Sequence, residues 1–246
     1  MDSGYYAACT ALMARAQALD TIANNLANIS TAGYRGQHNV FQSVLAQVDT
    51  ASSSPLSQAV NSFGVLSGTR LDLAQGNLER TGNDQDLAVE GPGFFVVQTA
   101  GGLVYTRSGN FRVSAQNQLV TAAGDSVMGE NGPVTVLGFP MSISSDGTIS
   151  AGGALGGKLK IVEFPVGTQL QNLGQTYYSA PDGSAKASET SRVRQGMLED
   201  SNVSPIASVV ELVTVQREAE MMQRVLAMIN SDINKTATQD LPRVSA

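Results

Sequence analysis

The residues that most often carry out chemistry are few in this chain of 246 residues. His38 is its only histidine and Cys9 its only cysteine. A single cysteine forms neither an intramolecular disulfide nor a CxxC motif, and one histidine without suitable partners indicates neither a zinc site nor a Ser-His-Asp triad. Asp84 and Asp86 lie in "GNDQDLAVEG", which lacks the terminal glutamate of a calcium loop, so we interpret them as turn residues.

Two glycine-rich runs are candidates for ligand-binding loops. "GPGFF" at residues 91–95 and "GGALGG" at residues 152–157 have neither a following Lys-Ser/Thr pair nor a strand-turn-helix context, which phosphate loops require. The sequence therefore predicts no catalytic residue, no metal ligand and no cofactor, and we do not expect an enzyme.

Composition narrows the classes of partner. Charged residues make up 15% of the chain, the net charge is −6 and the pI is about 4.7, whereas an average soluble domain has roughly 25% charged residues. This acidic balance argues against a nucleic-acid partner. No apolar run approaches a membrane span, and the start lacks a basic region and an apolar core, so we expect neither membrane insertion nor a cleaved signal.

The two ends of the chain share a heptad pattern, which predicts a long helix at each end. Apolar or small residues recur at alternating steps of four and three, over about three heptads at the first end. The first series is Tyr5, Cys9, Leu12, Ala16, Leu19, Ala23 and Leu26; the second is Val215, Ala219, Met222, Leu226, Ile229 and Ile233. Ser204 and Pro205 indicate the start of the second helix, and Gly33 indicates the stop of the first. We predict that the helices pair as a coiled coil, the alternative being amphipathic helices on a globular domain.

The region between the helices predicts antiparallel β-structure. Short alternating or apolar runs are separated by Gly, Asn and Asp, with turn dipeptides at residues 146–147 and 182–183. Residues 49–62 are Ser-rich and aperiodic, like a linker. The predicted fold is α+β: a first helix at residues 1–32, a linker at 33–64, a central β domain at 65–197 and the second helix with its tail at 198–246.

The stretch "TIANNLANISTAGYRG" (21–36) has helical spacing but carries Asn24, Asn25 and Asn28 and no charge before Arg35. Asn is a mediocre helix former, and on a helical wheel these amides fall opposite Leu26. Buried amides that find partners favour one register over others, which suits a helix surrounded by neighbouring subunits. Asn at a helix end also tolerates left-handed geometry, which explains Asn28 better than Asn24 and Asn25.

Four motifs between residues 23 and 218 resemble those of the bacterial flagellar rod and hook proteins. "ANNLANISTAGYR" (23–35) is similar to their N-terminal signature, with Thr31, Gly33 and Tyr34 in place. The remaining motifs follow in the family's order: "GNLERTGNDQDLAVEGPGFFVV" (76–97), "YTRSGNFRVSAQNQLVTAAG" (105–124) and "QGMLEDSNVSPIASVVELVTVQRE" (195–218). Length and the single modest β domain resemble a proximal rod subunit most, with a distal rod subunit as the alternative.

The resemblance implies a structural subunit that is exported, uncleaved, through the flagellar type III apparatus and assembles with other rod and hook subunits in the periplasm. We expect Leu12, Leu19, Ala23, Leu26, Val215, Met222, Leu226 and Ile229 to pair the helices, and Asn24, Asn25, Asn28, Thr31, Gly33 and Tyr34 to contact neighbouring subunits. Two other classes stay open on the sequence: a cell-wall hydrolase and a stand-alone β binding module.

Overall fold

The computed structural model describes residues 2–42, 65–138, 140–174 and 176–235. They form an α+β protein with one helix near each end of the chain and β-strands between, which confirms the predicted class at this level. The predicted linker at residues 49–62 lies outside the described residues. The described residues fall into two compact units. The helical unit comprises those within Met1–Leu26, Gln37–Thr69 and Pro205–Ala246, and the β unit those within Ala27–Gly36 and Arg70–Ser204.

Helix α1 spans Asp2–Ala27 and helix α2 spans Pro205–Lys235. Helix α2 begins at the predicted proline, whose missing N–H costs nothing in the first turn. Helix α1 ends six residues before the predicted stop at Gly33. The Gly33 N–H donates to Glu199 O at 2.7 Å and not to a carbonyl of the helix. Over the described residues, neither helix is long and apolar enough to cross a membrane.

The two helices contact each other through two small apolar clusters. In one, Ala11 and Met222 are buried, with Leu12 and Leu226 against them. The other consists of Ala18, Ile22 and Val215, with Leu19 and Leu212 at its margin. Beside the clusters, Arg15 Nε lies 3.1 Å from Glu218 Oε2, with both side chains partly shielded. The helical unit also contains a two-stranded sheet of β1 (Gln37–Gln42) and β2 (Val65–Leu71). The last two residues of β2, Arg70 and Leu71, belong to the β unit.

The β unit is built from short strands separated by tight turns. They are β3 (Leu78–Arg80), β4 (Leu87–Glu90), β5 (Phe94–Thr99), β6 (Gly102–Thr106), β7 (Arg112–Val113), β8 (Leu119–Val120), β9 (Ser126–Gly129), β10 (Gly132–Pro133), β11 (Met141–Ile143), β12 (Thr148–Ala151), β13 (Ala154–Lys158), β14 (Ile161–Glu163), β15 (Gln171–Gly174), β16 (Tyr177–Ser179), β17 (Lys186–Ala187), β18 (Arg192–Gln195) and β19 (Met197–Glu199).

The largest sheet has the path β15-β16-β6-β5-β9-β8-β7, with β10, β14 and β17 attached to it. Strands β11, β12 and β13 form a second sheet, and β18 pairs with β4 and β19 with β3. Each of these pairs is antiparallel, as predicted. Strands β18 and β19, which lead towards α2, therefore pair with strands from the start of the unit.

Strand β5 separates two apolar cores. Its first four residues are all buried, because successive side chains point to opposite faces and both faces are covered. Phe95 belongs to the larger core and packs edge-on against Phe111, with ring centroids 5.0 Å apart. Phe94 and Val96 belong to the smaller core together with Tyr178. The run "FFVV" thus reads as continuous hydrophobicity instead of the alternation of a half-exposed strand.

Candidate functional site

The asparagine-rich stretch belongs to both units. Residues up to Leu26 are part of the helical unit, and Ala27–Gly36 are part of the β unit. From Asn28 onward the chain leaves the helix through turns, with Thr31 N donating to Asn28 O at 3.1 Å. The predicted signature is therefore one half helix and one half connecting segment, and each half has its own partners.

Asn25 is the buried amide of the helical half, with 6% of its surface exposed. Its Nδ2 donates to Gln37 O at 2.7 Å, and its Oδ1 accepts from Gln37 N at 2.9 Å. The side chain thus pairs with the first residue of β1 in the way that a neighbouring strand would pair. Within the chain, Asn25 fixes the start of β1 against α1, so its polar groups are engaged before any subunit contact.

The other polar residues of the stretch are less enclosed. Asn24 is exposed on α1, and Asn28 and Thr31 are half-buried in the β unit. The Thr31 hydroxyl donates to Asn28 Oδ1 at 3.2 Å, which stabilises the turn. The contacts that these three residues make with neighbouring subunits stay a prediction.

Gly33 packs directly against the loop after β6, within the β unit. Its φ of +72° is a conformation that favours glycine. A Cβ at this position would stand 2.2 Å from the backbone nitrogen of Ser108, which is far inside van der Waals contact. The glycine is therefore required both by its backbone angle and by the approach of the loop after β6.

The residues after Gly33 are among the most buried of the chain. Tyr34 is 1% exposed and Arg35 is 0% exposed. Burial raises the pKa of the Tyr34 hydroxyl. The Arg35 N–H donates to the hydroxyl oxygen of Tyr178 at 3.0 Å, and burial raises the pKa of Tyr178 to about 12. The segment is thus part of the interior of the β unit and does not lie on its surface.

A buried charge cluster in the β unit consists of Arg35, Arg107 and Glu199. Arg35 Nη2 is 2.7 Å from Glu199 Oε1, and Arg107 Nη1 is 3.2 Å from Glu199 Oε2. All three side chains are at most 1% exposed. Glu199 Oε1 also accepts from Gly76 N at 2.8 Å. The Glu199 carboxylate therefore binds three separate segments of the chain. The backbone carbonyl of Glu199 also accepts a hydrogen bond from Gly33 N.

The cluster contains two guanidinium groups and one carboxylate, so it buries a net positive charge. Burial lowers the pKa of Arg107 to about 10, although Glu199 opposes this shift. Arg107 also donates to Val89 O and Gly91 O, and its guanidinium carbon lies 4.8 Å from the centroid of the Phe94 ring. The Arg35 guanidinium has fewer hydrogen-bond partners than that of Arg107. Apart from the ion pair with Glu199, its nitrogens make no aligned hydrogen bond to the described residues.

The Asn202 side chain connects segments from the two ends of the β unit through hydrogen bonds. Its Oδ1 accepts from Gly36 N at 2.7 Å, and its Nδ2 donates to Asp72 O and Ala74 O. One amide thus binds the segment before β1, the segment after β2 and the segment before α2. The charge cluster and Asn202 together connect the first and last segments of the β unit.

The predicted helix-pairing residues lie at different depths. Val215 and Met222 are buried, Leu12, Leu19, Leu26 and Leu226 are half-buried, and Ala23 is exposed. Ile229 lies in α2, but its side chain is outside the described part of the chain. The most buried stripe of α1 is Ala11, Ala14, Ala18, Ile22 and Asn25, about one residue before the predicted seam. Small alanines admit the partner helix closely, so the leucines flank the contact. The role of these residues in assembly stays a prediction.

Sequence reasoning missed the charge cluster, although each of its members lies in one of the quoted motifs. Arg35 ends the asparagine motif, Arg107 lies in "YTRSGNF", and Glu199 lies in "QGMLEDSNV". The available signal was a charged residue within an otherwise neutral motif. Asp84 and Asp86 lie in and beside a turn, where Asp86 N donates to Asn83 O, which confirms their interpretation as turn residues.

Three family models match successive segments of the chain. The "Flagella basal body rod protein" model matches residues 6–35, the "Flagellar hook protein FlgE/F/G D1 domain" model matches residues 88–151, and the "Flagellar basal body rod FlgEFG protein C-terminal" model matches residues 194–239. All three describe components of the bacterial flagellar axis. The first and third cover α1 and α2, and the second covers the middle of the β unit.

Relatives match over nearly the whole length. The flagellar basal-body rod protein FlgF of Caulobacter vibrioides is 30% identical over 252 residues, which cover 100% of both chains. FlgF of Salmonella typhimurium is 34% identical, over 94% of this chain and 96% of its own. FlgG of Buchnera aphidicola (subspecies Schizaphis graminum) is 31% identical, over 96% of each chain. The chain therefore belongs to the flagellar basal-body rod protein family, which is a structural family and not a class of enzymes.

Proposed function

We propose that the protein is a structural subunit of the proximal flagellar rod, of the FlgF kind, and that it assembles with other rod and hook subunits in the basal body. The observation that carries this proposal is that α1 and α2, from opposite ends of the chain, contact each other in one helical unit. The full-length similarity to named rod proteins supports it.

In the proposed assembly, the helices of many copies form the wall of a hollow tube, in which the helix pair is a coiled coil. Head-to-tail contacts with a rotation that does not close into a ring generate a helical filament. Small residues on both helices, such as Ala18 and Ala219, support close packing. Isolated helices are marginal in water, so contacts within the tube add to the ordering of both ends.

The location and route of delivery belong to the same proposal. The rod crosses the periplasm, and the subunit reaches it through the flagellar type III export apparatus without a cleaved signal. A chain that passes through a narrow channel is not folded. The charge cluster then forms after passage, since its members come from residues 35, 107 and 199.

The experiment is complementation of bacteria that lack their own copy of this protein, scored by swimming in soft agar and by isolation of basal bodies. Leu26→Asp places a charge at a half-buried seam position. We expect it to stop incorporation into the rod, while the β unit of the purified full-length variant keeps its fold. Gln17→Asp, at an exposed position on the same helix, is the control and is expected to swim. Normal rods from the Leu26→Asp variant would contradict the proposed role of the seam.

A distal rod subunit, of the FlgG kind, is the second candidate because FlgG relatives match with similar identity and coverage. Expression in strains that lack FlgF or FlgG separates the two. Rescue of the FlgF-deficient strain alone supports the proximal assignment, and rescue of the FlgG-deficient strain alone overturns it.

A further inference from the structure

The β unit has an open cleft of about 300 Å³. Its wall is formed by the turn at residues 28–32, the loop at 106–110, the turn at 121–123 and residues 176–177. This volume lies at the lower end of the range for small-ligand pockets, roughly 300–1,000 Å³. The charge cluster does not line it.

The side chains that line the cleft are hydroxyls, amides and methyl groups, and none of them carries a formal charge. A phosphate or nucleotide site uses Arg, Lys or a glycine-rich helix N-terminus, and a metal site uses carboxylates, imidazoles or thiolates. The lining offers neither set. The ligand that it fits is therefore neutral and forms many hydrogen bonds.

The hydroxyls on one side are already oriented. Tyr177 OH donates to Asp125 Oδ2 at 2.9 Å, so the Thr121 hydroxyl, 2.9 Å from Tyr177 OH, donates to the tyrosine oxygen. Asp125 N donates back to Thr121 Oγ1 at 3.2 Å. This closed network, which includes the carboxylate of Asp125, holds the Tyr177 ring in place. A fixed aromatic ring beside hydroxyl groups suits the C–H face of a sugar.

The lining also contains an amide and small apolar groups. Asn110 is exposed, and its Oδ1 accepts from Ser108 Oγ at 2.7 Å, which leaves its Nδ2 group for an acceptor on a ligand. Ala32, Ala122 and Ala123 add methyl groups. An acetamido substituent matches this combination, since its carbonyl accepts from an amide and its methyl packs on alanine.

A peptide fits the cleft less well. Tyr177 and Thr106 are strand residues at its wall, and they are paired with each other across β16 and β6. The wall at this point therefore has no free edge to which an extended peptide could add, and an apolar groove for an amphipathic helix is missing from the lining. The geometry points to a neutral saccharide that carries an acetamido group as the ligand of this cleft.

The test is saturation-transfer NMR on the full chain with the β-1,4-linked disaccharide of N-acetylglucosamine. Cellobiose, which has hydroxyls in place of the acetamido groups, and glucuronate, which is charged, are the comparison ligands. We expect weak binding of the N-acetylated disaccharide, with a Kd on the order of 1 mM, strongest saturation at its methyl protons, weaker binding of cellobiose and no binding of glucuronate.

Ala123→Arg fills the cleft from an exposed turn position and is expected to weaken binding at least about tenfold, which corresponds to about 1.4 kcal/mol. Ala115→Arg places the same side chain on another exposed turn, outside the lining, and is the control that leaves binding unchanged. Equal binding to the two variants would place the sugar elsewhere, and no binding to the unchanged protein would leave the cleft to another occupant, such as a neighbouring subunit. Either result overturns the proposal.

Discussion

Replacement of Glu199 by Gln removes the only carboxylate of the charge cluster while it keeps the size of the side chain. Two guanidinium groups, each at most 1% exposed, then lie in the interior without a counter-charge. Loss of one partner from a buried ion pair typically costs about 3–5 kcal/mol. A domain has only about 5–15 kcal/mol of total stability, so this change should bring the β unit close to unfolding at room temperature.

The measurement is urea denaturation of the full chain, followed by circular dichroism and by hydrogen exchange of the Gly33 and Arg35 amides, which bind Glu199 O and Tyr178 OH. Glu90→Gln is the matched control. Glu90 Oε2 lies 2.8 Å from Arg194 Nε, but both side chains are about half exposed, so its loss should cost less than about 1 kcal/mol. The control tests the same chemistry in the same unit, with burial as the main difference.

The net charge of the cluster adds a second expectation. Arg35→Met leaves one cation and one anion, so it should destabilise the β unit less than Glu199→Gln does. The double variant Arg35→Met with Glu199→Gln should recover part of the loss, because it leaves one uncompensated cation instead of two. If Glu199→Gln and Glu90→Gln differ by less than about 1 kcal/mol, or if Arg35→Met is the more damaging change, the cluster does not hold the β unit together as argued.

Three further predictions use the same unfolding assay. Gly33→Ala should cost clearly more than Gly82→Ala, because both glycines have φ near +72° but only Gly33 lacks room for a Cβ; equal costs would contradict the close approach. Asn25→Asp should destabilise the helical unit by about 1–3 kcal/mol through a lost donor and a buried charge, whereas Asn24→Asp, on the exposed side, should change it little. Burial raises the pKa of Tyr178 from 10.0 to about 12, so the unfolded chain ionises first. The contribution of Tyr178 to the free energy of unfolding is therefore fully present below pH 10 and is lost as the pH rises, by about 1.4 kcal/mol at pH 11. Tyr178→Phe should reduce this dependence of stability on pH.

The sequence predicted the parts of the fold that depend on local pattern. The heptads at the two ends and Pro205 predicted α2 and its first residue correctly, and the short runs between turn residues predicted antiparallel strands. The end of α1 was predicted less well, since Gly33 was interpreted as a helix stop. Its conformation is set by Ser108 and Glu199, which lie far away in sequence. A long-range contact of this kind leaves no periodic signal in the chain.

The asparagines also show that the sequence does not predict long-range partners. Their amides were expected to contact neighbouring subunits because they lack charged neighbours on the helix. Within the chain, Asn25 uses both polar groups of its amide to bind Gln37. Asn202, which the sequence analysis did not single out, uses its amide to bind two other segments, at Gly36 and at Asp72 and Ala74. The contact of Asn25 with neighbouring subunits stays a prediction. A neutral amide fits contacts within the chain as well as contacts with a neighbouring subunit, and only its three-dimensional partner distinguishes the two uses.

The charge cluster brings together residues from both ends of the β unit. Arg35 follows α1 by eight residues, and Glu199 precedes α2 by six. Within the β unit, the cluster therefore joins the residues that follow α1 to those that precede α2. Because the segment at 27–36 belongs to the β unit, a fragment that starts at residue 65 lacks Arg35 and leaves Glu199 with one partner instead of two. A fragment that starts at residue 27 keeps the cluster, so the two fragments should differ in stability if the signature motif serves the β unit as well as the helices.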